Sequence, residues 1–158
     1  MIGFGFDVHR LAEGESLILG GIPVESPFGT VAHSDGDVVL HALTDALLGA
    51  AGLGDIGEHF PDTDPQWRGA ASSQFVLHAM MLLNEEGLKP VNVDVALTLE
   101  APKIKQYKQP MRDHIAMLCS LPPERVNIKA TTNEKLGYVG RGEGVQAYCV
   151  CDVQPAVG

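Results

Sequence analysis

The spacing of hydrophobic and polar residues changes several times along the chain, and each change predicts a different element. Apolar residues dominate residues 2–10, where the polar Asp7 and His9 lie two apart, as on one face of a strand. Alanine and leucine dominate residues 37–51, which predicts a helix capped by Ser34 or Asp35. The same criteria predict a short strand and turn over 16–24, a helix from Ser72 or Ser73 to Glu86, strands over 91–99 and 125–131, a helix over 110–118 and a strand over 145–153.

Three segments contain too much glycine, proline or acid for a long regular element. Residues 26–35 include Pro27 and Gly29 and end in a His-Ser-Asp run. Residues 53–67 contain Pro61, Pro65 and several acidic residues, and we expect an ordered but mobile loop there. Residues 132–144 are rich in glycine. All three segments are therefore predicted to be loops between the strands and helices.

Strands and helices alternate along the chain without internal repeats or an evident linker. This order predicts one α/β (α+β) domain over residues 1–158, a single-layer mixed β-sheet with helices packed on one face. The last strand, residues 145–151, is largely apolar on both of its faces. We therefore expect another chain to cover the face of the sheet that the helices leave open.

Composition narrows the classes of function. The 158 residues carry a formal net charge of −9, which disfavours nucleic-acid binding because neutralising phosphates requires lysine and arginine. No apolar run is long enough to span a membrane, and the N-terminus lacks the basic start of a signal peptide. The expected location is cytoplasmic, or a plastid if a transit peptide has been removed. Cys119, Cys149 and Cys151 are expected to be small buried hydrophobes.

The main candidates for chemistry are Asp7, His9 and His41. Asp7 and His9 point to the same face of the first strand, and the helix that carries His41 can place a third ligand there. One carboxylate and two imidazoles suit a divalent metal such as zinc, with one coordination position left open. The alternative is that all three are ordinary polar residues, and the local sequence leaves both possibilities open.

The helix that carries His41 raises two further hypotheses. Asp37, His41 and Asp45 lie on one of its faces at intervals of four residues, so Asp45 could accept an N–H from a ligand imidazole. Residues 33–37 precede this helix, where free backbone N–H groups and the positive end of the helix dipole favour an anion. Helix capping by the same residues is the simpler alternative.

Other loops offer polar groups with less specific patterns. Residues 54–57 and 60–64 combine glycines, which let a ligand approach the backbone, with carboxylates that can accept hydrogen bonds from hydroxyls. Residues 129–138 and 140–144 contain hydroxyls, carboxylates and cations that can hold a phosphate and a hard cation such as Mg²⁺. A solvated surface loop is the alternative in each case. The chain contains no Walker A, Rossmann or catalytic-triad pattern.

Taken together, these segments resemble the 2-C-methyl-D-erythritol 2,4-cyclodiphosphate synthase family of non-mevalonate isoprenoid biosynthesis. Each run alone is weak evidence, whereas all of them in the family's order over nearly the whole chain are highly specific. The matching runs are Gly5-Phe6-Asp7-Val8-His9, Ala32-His33-Ser34-Asp35-Gly36-Asp37, Leu40-His41-Ala42-Leu43-Thr44-Asp45-Ala46, Gly54-Asp55-Ile56-Gly57, Phe60-Pro61-Asp62-Thr63-Asp64, Ala101-Pro102-Lys103, Lys129-Ala130-Thr131-Thr132, Glu134-Lys135-Leu136-Gly137 and Gly140-Arg141-Gly142-Glu143-Gly144.

The resemblance implies an enzyme with two metals. It implies a homotrimer whose sheets face inward, with active sites between neighbouring subunits. It implies one Zn²⁺ per subunit bound by Asp7, His9 and His41, and Mg²⁺ or Mn²⁺ bound by Glu134 together with the substrate. The reaction would be that of a phosphorus–oxygen lyase, which converts 4-diphosphocytidyl-2-C-methyl-D-erythritol 2-phosphate to the 2,4-cyclodiphosphate and CMP.

The resemblance also assigns residues to the substrate. His33 and Thr132 would stabilise the transition state close to the open zinc position, residues 60–64 would form a flexible flap, and the cytidine would bind near Lys103. Asn133 and Tyr138 depart mildly from the threonine and phenylalanine that are frequent in the family. The implied substrate contacts are Asp7, Val8, His9, His33, Ser34, Asp55, Ile56, Gly57, Phe60, Pro61, Asp62, Thr63, Asp64, Glu100, Ala101, Pro102, Lys103, Ile104, Lys105, Thr131, Thr132, Asn133, Glu134, Tyr138 and Arg141.

Two further points concern ligands and alternatives. Family members enclose an apolar cavity on the trimer axis that can take an isoprenoid diphosphate, and Phe6, Arg141 and Glu143 map to its lining, where simple interface packing is the alternative.

Two other functions also stay open for this chain: a metal- or metabolite-binding module without turnover, and a metal-dependent phosphoesterase that uses water.

Overall fold

Strands and helices alternate over residues 1–157, which are described by the computed structural model. The elements are β1 (Ile2–Glu13), β2 (Leu17–Leu19), β3 (Ile22–Val24), β4 (Phe28–Thr30), α1 (Val38–Ala50), α2 (Ile56–His59), α3 (Ser73–Glu85), β5 (Leu88–Thr98), α4 (Lys108–Leu118), β6 (Val126–Thr131), α5 (Gly137–Gly140) and β7 (Gly144–Pro155). Single 3₁₀ turns occur at Pro65–Trp67, Lys105–Tyr107 and Pro123–Arg125. Within residues 1–157, no helix has the length and apolar character needed to cross a bilayer.

Five strands form one mixed sheet in the order β4-β1-β7-β5-β6, and β2 pairs with β3 in a separate hairpin. Strand β7 is central and antiparallel to both β1 and β5, while β5 and β6 run parallel. Gly5, Cys149, Val95 and Ile128 form one row across this sheet, on the face that α1, α3 and α4 cover. The predicted α/β fold, a mixed sheet packed with helices, is confirmed.

Helix α1 lies directly on β1 because two glycines leave room for its backbone. A Cβ on Gly5 would lie 1.8 Å from the carbonyl oxygen of Ala42, and Gly3 meets the helix backbone in the same way. Gly3, Gly5, Asp7 and His9 alternate onto one face of the strand. The close approach therefore brings the beginning of α1 beside Asp7 and His9.

The other face of the sheet carries large apolar side chains that the chain itself leaves uncovered. Ile2 and Phe4 are 68% and 61% exposed, and Val8 is 41% exposed. Tyr148 of β7 packs beside Phe4 and Phe6, with ring centroids 6.2 and 5.2 Å apart. Strand β7 therefore buries one face among the helices and presents the other as part of an open apolar surface.

Several predicted loops contain short elements. Residues 26–35 include β4, residues 53–67 include α2 and a 3₁₀ turn, and residues 132–144 include α5. These were missed because three or four residues are too few to show a hydrophobic period. Strand β5 begins at Leu88 and not at 91, with a register shift between Pro90 and Asn92, where proline lacks the N–H that a ladder needs.

The three cysteines are buried free thiols, as predicted. Burial raises the pKa of Cys119 to about 12 and that of Cys151 to about 11. Burial also raises the pKa of Cys149 well above the ordinary thiol value. All three are therefore protonated at neutral pH and contribute to the core as small apolar groups.

Candidate metal and substrate site

Asp7, His9 and His41 converge at the place where α1 crosses β1. Asp7 Oδ2 lies 2.9 Å from His9 Nδ1 and 3.1 Å from His41 Nδ1. One ligand atom from each residue lies within 4.8 Å of the others. The structure thus brings together the three residues that the sequence pattern singled out, and they form a candidate metal-binding group.

The donor atoms fit a divalent metal. His9 Nδ1 is buried and has no hydrogen-bond partner within residues 1–157, although Asp7 Oδ2 is close to it. An orphaned buried ring nitrogen is unfavourable unless its lone pair has a partner, and a metal ion would be one. Two imidazole nitrogens and a carboxylate oxygen form a mixed donor set that suits a catalytic divalent metal with an open position.

Asp7 and the imidazoles change each other's protonation. Burial disfavours the charged form of Asp7, but the hydrogen bond from His41 and the positive charge of both imidazoles outweigh burial and lower the pKa of this carboxyl. Burial also disfavours an imidazolium at His41, and the hydrogen bond to Asp7 outweighs it, so the pKa of His41 is raised. Asp7 is therefore ionised at neutral pH, as a ligand carboxylate must be.

The second nitrogen of His41 faces two serine hydroxyls. His41 Nε2 lies 2.8 Å from Ser72 Oγ and 3.2 Å from Ser34 Oγ. The hypothesis that Asp45 accepts an N–H from a ligand imidazole is wrong within residues 1–157, because His41 bonds Asp7, Ser72 and Ser34, and Asp45 Oδ1 accepts the backbone N–H of Ile56 at 2.7 Å. Asp45 thus fixes the start of α2, and the polar partners of His41 come from the loop before α1 and from the start of α3.

The loop before α1 mainly caps the helix. Gly36 N–H donates to Ser34 Oγ at 3.3 Å, Asp37 N–H donates to Asp35 Oδ1 at 3.1 Å, and Leu40 N–H donates to Asp37 Oδ1 at 3.0 Å. These groups are therefore already paired, which favours the capping alternative over an anion site made by the helix N-terminus itself.

Asp37 also ties the helix to the β2–β3 turn. Its carboxylate accepts the N–H groups of Gly20 at 2.9 Å and Gly21 at 2.6 Å, and its side chain is fully buried. Burial raises the pKa of Asp37 to about 6, although the backbone donors oppose this shift. The hydrogen bonds of Asp37 therefore fix the first turn of α1, and with it His41, to the rest of the fold.

A cavity of about 560 Å³ opens beside the candidate metal ligands. Its lining includes most of the predicted substrate contacts from the first half of the chain, and adds four residues that sequence reasoning missed. The predicted lining residues are Asp7, His9, His33, Ser34, His41, Ile56, Gly57, Phe60, Pro61, Asp62 and Thr63. The missed ones are Val31, Ala32, Trp67 and Phe75. His33 Nε2 is buried there without a hydrogen-bond partner within the described chain.

Aromatic stacking forms one wall of this first cavity. Phe60 lies with its ring centroid 5.0 Å from that of Trp67 and 4.5 Å from that of Phe75. Trp67 and Phe75 are in turn 5.6 Å apart. Because Phe75 is buried in α3, the stack anchors the loop over 60–67 to the helix. The tryptophan that follows the Pro61–Pro65 segment could have indicated this wall, because prolines and glycines alone do not hold a loop in place.

A second cavity of about 310 Å³ lies at the ends of β5 and β6. It is lined by the predicted Glu100, Pro102, Lys103, Ile104, Lys105, Thr131 and Thr132, together with Leu99, Lys108 and Ala130, which were not predicted. Three lysines around one small cavity suit an anionic ligand. Lys108 begins α4 three residues after Lys105, so helical spacing could have indicated it.

The two cavities are separate within one chain. Val8, Gln146, Thr98 and Thr131 form a single row of paired residues across β1, β7, β5 and β6. Three interstrand spacings place the ends of this row roughly 14 Å apart. The structure therefore does not bring Thr132 close to the candidate metal ligands of the same chain. The family resemblance implied that Thr132 lies near the open zinc position in an active site between neighbouring subunits, which a single chain does not test.

Several other predicted contacts lie outside both cavities. Val8 points to the open face of the sheet, opposite to Asp7 and His9. Asp55 caps α2 by accepting the N–H of Glu58, and Asp64 caps the following 3₁₀ turn. The remaining predicted contacts that line neither cavity are Ala101, Asn133, Glu134, Tyr138 and Arg141.

The segment after β6 has an unusual backbone. Glu134 and Lys135 have φ values of 53° and 64°, in the left-handed region that side chains disfavour. The Glu100 carboxylate accepts the N–H of Asn133 at 2.6 Å and that of Lys135 at 3.1 Å. Glu134 N–H donates to Thr132 Oγ1 at 3.2 Å. Glu100 therefore shapes the loop that carries Thr132 and Glu134, and its carboxylate is engaged with backbone.

Comparison with known proteins identifies the family. A sequence profile described as the YgbB family matches residues 1–154. The chain belongs to the YgbB family. A family relative, the 2-C-methyl-D-erythritol 2,4-cyclodiphosphate synthase of Chlorobaculum tepidum, is 57% identical over 98% of this chain and 99% of its own. The resemblance described from the sequence is thereby confirmed.

Solved structures of YgbB family relatives share the fold. A 2C-methyl-D-erythritol-2,4-cyclodiphosphate synthase in its CDP-bound form matches with a TM-score of 0.91 and 45% identity, over 98% of this chain and all of the other. The bifunctional IspDF of Campylobacter jejuni matches with a TM-score of 0.92 and 45% identity, over 96% of this chain and 41% of its own. The family thus includes both separate synthases and longer bifunctional chains.

Proposed function

We propose that this chain converts 4-diphosphocytidyl-2-C-methyl-D-erythritol 2-phosphate to 2-C-methyl-D-erythritol 2,4-cyclodiphosphate and CMP. The observation that carries the proposal is the convergence of Asp7, His9 and His41 beside His33 in the first cavity. Family membership supports the reaction, since the relatives that match over nearly their whole length are named as this synthase. The CDP-bound relative supports a cytidine nucleotide as ligand.

The chemistry needs positioning more than it needs a base. An oxygen of the substrate's 2-phosphate forms a bond to the β-phosphorus, while the bond from that phosphorus to the bridging oxygen breaks and CMP leaves with the electron pair. Both the nucleophile and the leaving group are stable anions near neutral pH, so a catalytic triad is unnecessary. Holding the chain of the substrate in a folded geometry can lower the barrier by about 7–11 kcal/mol.

Asp7, His9 and His41 fit Zn²⁺, and Glu134 suits Mg²⁺ or Mn²⁺ that arrives with the substrate. When bound, these metals would neutralise phosphate oxygens and stabilise the charge that develops on them. This also accounts for how a chain with a net charge of −9 can bind a multiply charged anion. The chain itself contributes a fixed ligand geometry through the packing of α1 on β1.

Each of the two cavities would bind a different part of the substrate. In the first cavity, Ser34 and His33, whose Nε2 is buried, would face the phosphates, and the backbone at Ile56 and Gly57 would face the methylerythritol unit. In the second cavity, Lys103 and its neighbours hold the cytidine diphosphate. Thr132, which lines that cavity, would stabilise the transition state together with His33.

The separation of the two cavities supports a homotrimer with active sites between subunits. Within one chain the row from Val8 to Thr131 keeps the two parts of the site roughly 14 Å apart. A neighbouring copy could place its second cavity against the first cavity of this chain. The exposed apolar face, with Phe4 and Phe6, gives such copies a surface to bury.

The axis of that trimer provides a further proposed site. Phe6 is 42% exposed on the open face, and Arg141 and Glu143 form an exposed ion pair at 3.2 Å. An isoprenoid diphosphate would place its chain among the apolar groups and its phosphates beside Arg141. Isoprenoid diphosphate binding that is unchanged in Arg141→Ala would contradict this assignment.

A single domain over 1–158 and a cytoplasmic location complete the proposal.

Phosphorus NMR of the purified protein with the diphosphocytidyl substrate tests the proposed reaction. We expect resonances of the cyclodiphosphate and CMP, with strict dependence on added metal. Open-chain phosphate products would indicate a phosphoesterase, and absence of turnover in metal-loaded protein would indicate a binding module. CMP release that persists undiminished in chelator-stripped protein would contradict the role given to the metals.

A further inference from the structure

Ser72 and Asp35 form a hydrogen-bonded chain behind His41, on the side away from Asp7. Ser72 Oγ lies 2.8 Å from His41 Nε2 and donates its own proton to Asp35 Oδ1. The Ser72 backbone N–H donates to Asp35 Oδ2 at 2.8 Å. Ser72 is completely buried, so bulk water does not compete for these groups. We refer to Asp35, Ser72 and His41 as the relay.

Proton counting fixes the direction of the relay. An ionised carboxylate only accepts hydrogen bonds, so the hydroxyl proton of Ser72 is committed to Asp35. Ser72 Oγ then has only lone pairs to offer to His41, so its 2.8 Å contact is satisfied when Nε2 carries the proton; the Ser34 hydroxyl, which also faces Nε2, is farther away at 3.2 Å. In the neutral ring, the lone pair therefore lies on Nδ1, which faces Asp7 and His9.

Asp7 favours the opposite arrangement in the absence of a metal. Its Oδ2 lies 3.1 Å from His41 Nδ1, where it can accept a proton from that nitrogen. An Nδ1–H tautomer would satisfy Asp7 but would remove the lone pair that the candidate metal group needs. The two partners of His41 thus compete for the position of one proton, and the relay pulls it away from the metal side.

We propose that Ser72 and Asp35 are positioning residues that hold His41 in the Nε2–H tautomer and so prepare Nδ1 to bind the metal. The proposal rests on the proposed metal role of Asp7, His9 and His41. It assigns a function to two residues that line neither cavity. It also connects the metal ligands to the start of α3, where the loop over 60–71 ends.

Backbone hydrogen bonds hold the segments that carry Asp35 and Ser72 together, which argues against a chance contact between the two side chains. Asp35 N–H donates to Ala70 O at 3.1 Å, and Gly69 N–H donates to His33 O at 2.8 Å. Two backbone hydrogen bonds thus join the segment before α1 to the segment before α3. Asp35 and Ser72 are consequently held at a fixed distance, which a tautomer-selecting contact requires.

Zinc affinity and the His41 tautomer, measured on the full chain, test the relay. We expect Ser72→Ala to weaken zinc binding roughly 10–100-fold in a chelator competition, the range typical of groups that orient metal ligands. The matched control is Ser73→Ala, since Ser73 is adjacent and its hydroxyl takes no part in the relay. Long-range ¹H–¹⁵N spectra of the metal-free protein should show His41 moving from the Nε2–H toward the Nδ1–H tautomer in Ser72→Ala, a change that a general loss of packing does not produce.

Asp35→Asn provides a second variant if Ser72→Ala does not fold. Asn retains one acceptor oxygen where Asp35 has two, so the pull on the Ser72 hydroxyl should weaken and zinc affinity should again fall. Wild-type zinc affinity together with an unchanged tautomer in a folded variant would overturn the relay while leaving the metal site intact. Failure of the wild-type protein to bind zinc would instead overturn the metal site, and the relay with it.

Discussion

The two parts of the proposed active site are constructed in different ways. The candidate metal ligands Asp7, His9 and His41 project from a long strand and a long helix that pack backbone against backbone at Gly5. The nucleotide side consists of loops after β5 and β6, shaped mainly by the Glu100 carboxylate. The first part inherits its geometry from the core, whereas the second depends on a few local hydrogen bonds.

This difference determines which mutations should disrupt each part of the proposed site. Changes that disturb the packing of α1 on β1 should reduce global stability and metal binding together, because the same contact supports both. Changes in the loop after β6 should reduce nucleotide binding or turnover and leave the stability of the fold almost unaltered. The following predictions test this contrast.

The largest expected effect is that of His41→Ala. Loss of this imidazole removes one of three candidate metal ligands, and we expect cyclodiphosphate formation in the phosphorus NMR assay to fall below detection. Thermal unfolding should show that the fold persists, since the side chain is only part of the polar cluster. His114→Ala is the control, because this histidine lies outside both cavities and binds Gly20 O at 2.9 Å. Turnover in His41→Ala close to the control would refute the metal role.

The second prediction concerns the neighbouring copy. Thr132→Ala should also be inactive, but through the other half of the site. If each active site combines halves from two subunits, trimers reassembled from equal amounts of His41→Ala and Thr132→Ala should regain roughly a quarter of wild-type turnover, because both halves must come from intact partners. A mixture no more active than its parents would indicate that both halves act within one chain.

The third prediction tests the packing of α1 on β1. Gly5→Ala places a Cβ 1.8 Å from the Ala42 carbonyl oxygen, and we expect the free energy of unfolding in urea to fall by about 3 kcal/mol, the upper end of the usual range for overpacking. Zinc affinity should fall with it. The control is Gly49→Ala in α1, where an added Cβ has nothing within 4 Å and should stabilise the helix by about 0.5–1 kcal/mol. Equal stability of the two variants would contradict the role given to Gly5.

The smallest expected effect is the pH dependence contributed by Asp37. Its pKa is raised to about 6 in the fold from an unfolded value of 3.8, so the folded state binds the proton more tightly. This contribution is fully present below about pH 4 and is lost as pH rises through 6. The unfolding free energy of wild type minus that of Asp37→Asn, measured at one protein concentration, should therefore decrease over this range. A difference independent of pH would contradict the shift.

The sequence predicted well that the candidate metal ligands converge, because they occupy long regular elements. Asp7 and His9 follow the two-residue period of β1, and His41 lies in a helix whose composition is unambiguous. The same reasoning failed for Asp45, since helical spacing shows which residues share a face and does not show which backbone group lies opposite. Ile56 N–H donates to the Asp45 carboxylate because the chain turns back after α1.

Local sequence patterns could not reveal how the parts of the site are divided, and only the family resemblance implied active sites between subunits. Thr132 and His33 belong to motifs of one family, yet the strand order places β7 and β5 between β1 and β6. Strand order depends on pairing between distant segments, which no local period encodes. The roles of Ser72 and Trp67 were missed for a related reason, since each acts through a contact made only after α3 packs against α1.

The aromatic wall of the first cavity has a practical consequence. Trp67 is the sole tryptophan of the 158 residues, and it stands edge-on to Phe60 at 5.0 Å in the loop that is expected to close over the substrate. Its emission therefore comes from a single environment inside the site. Titration with substrate, CMP or zinc can be followed by its intensity and wavelength, so the molecule contains its own optical probe of loop closure.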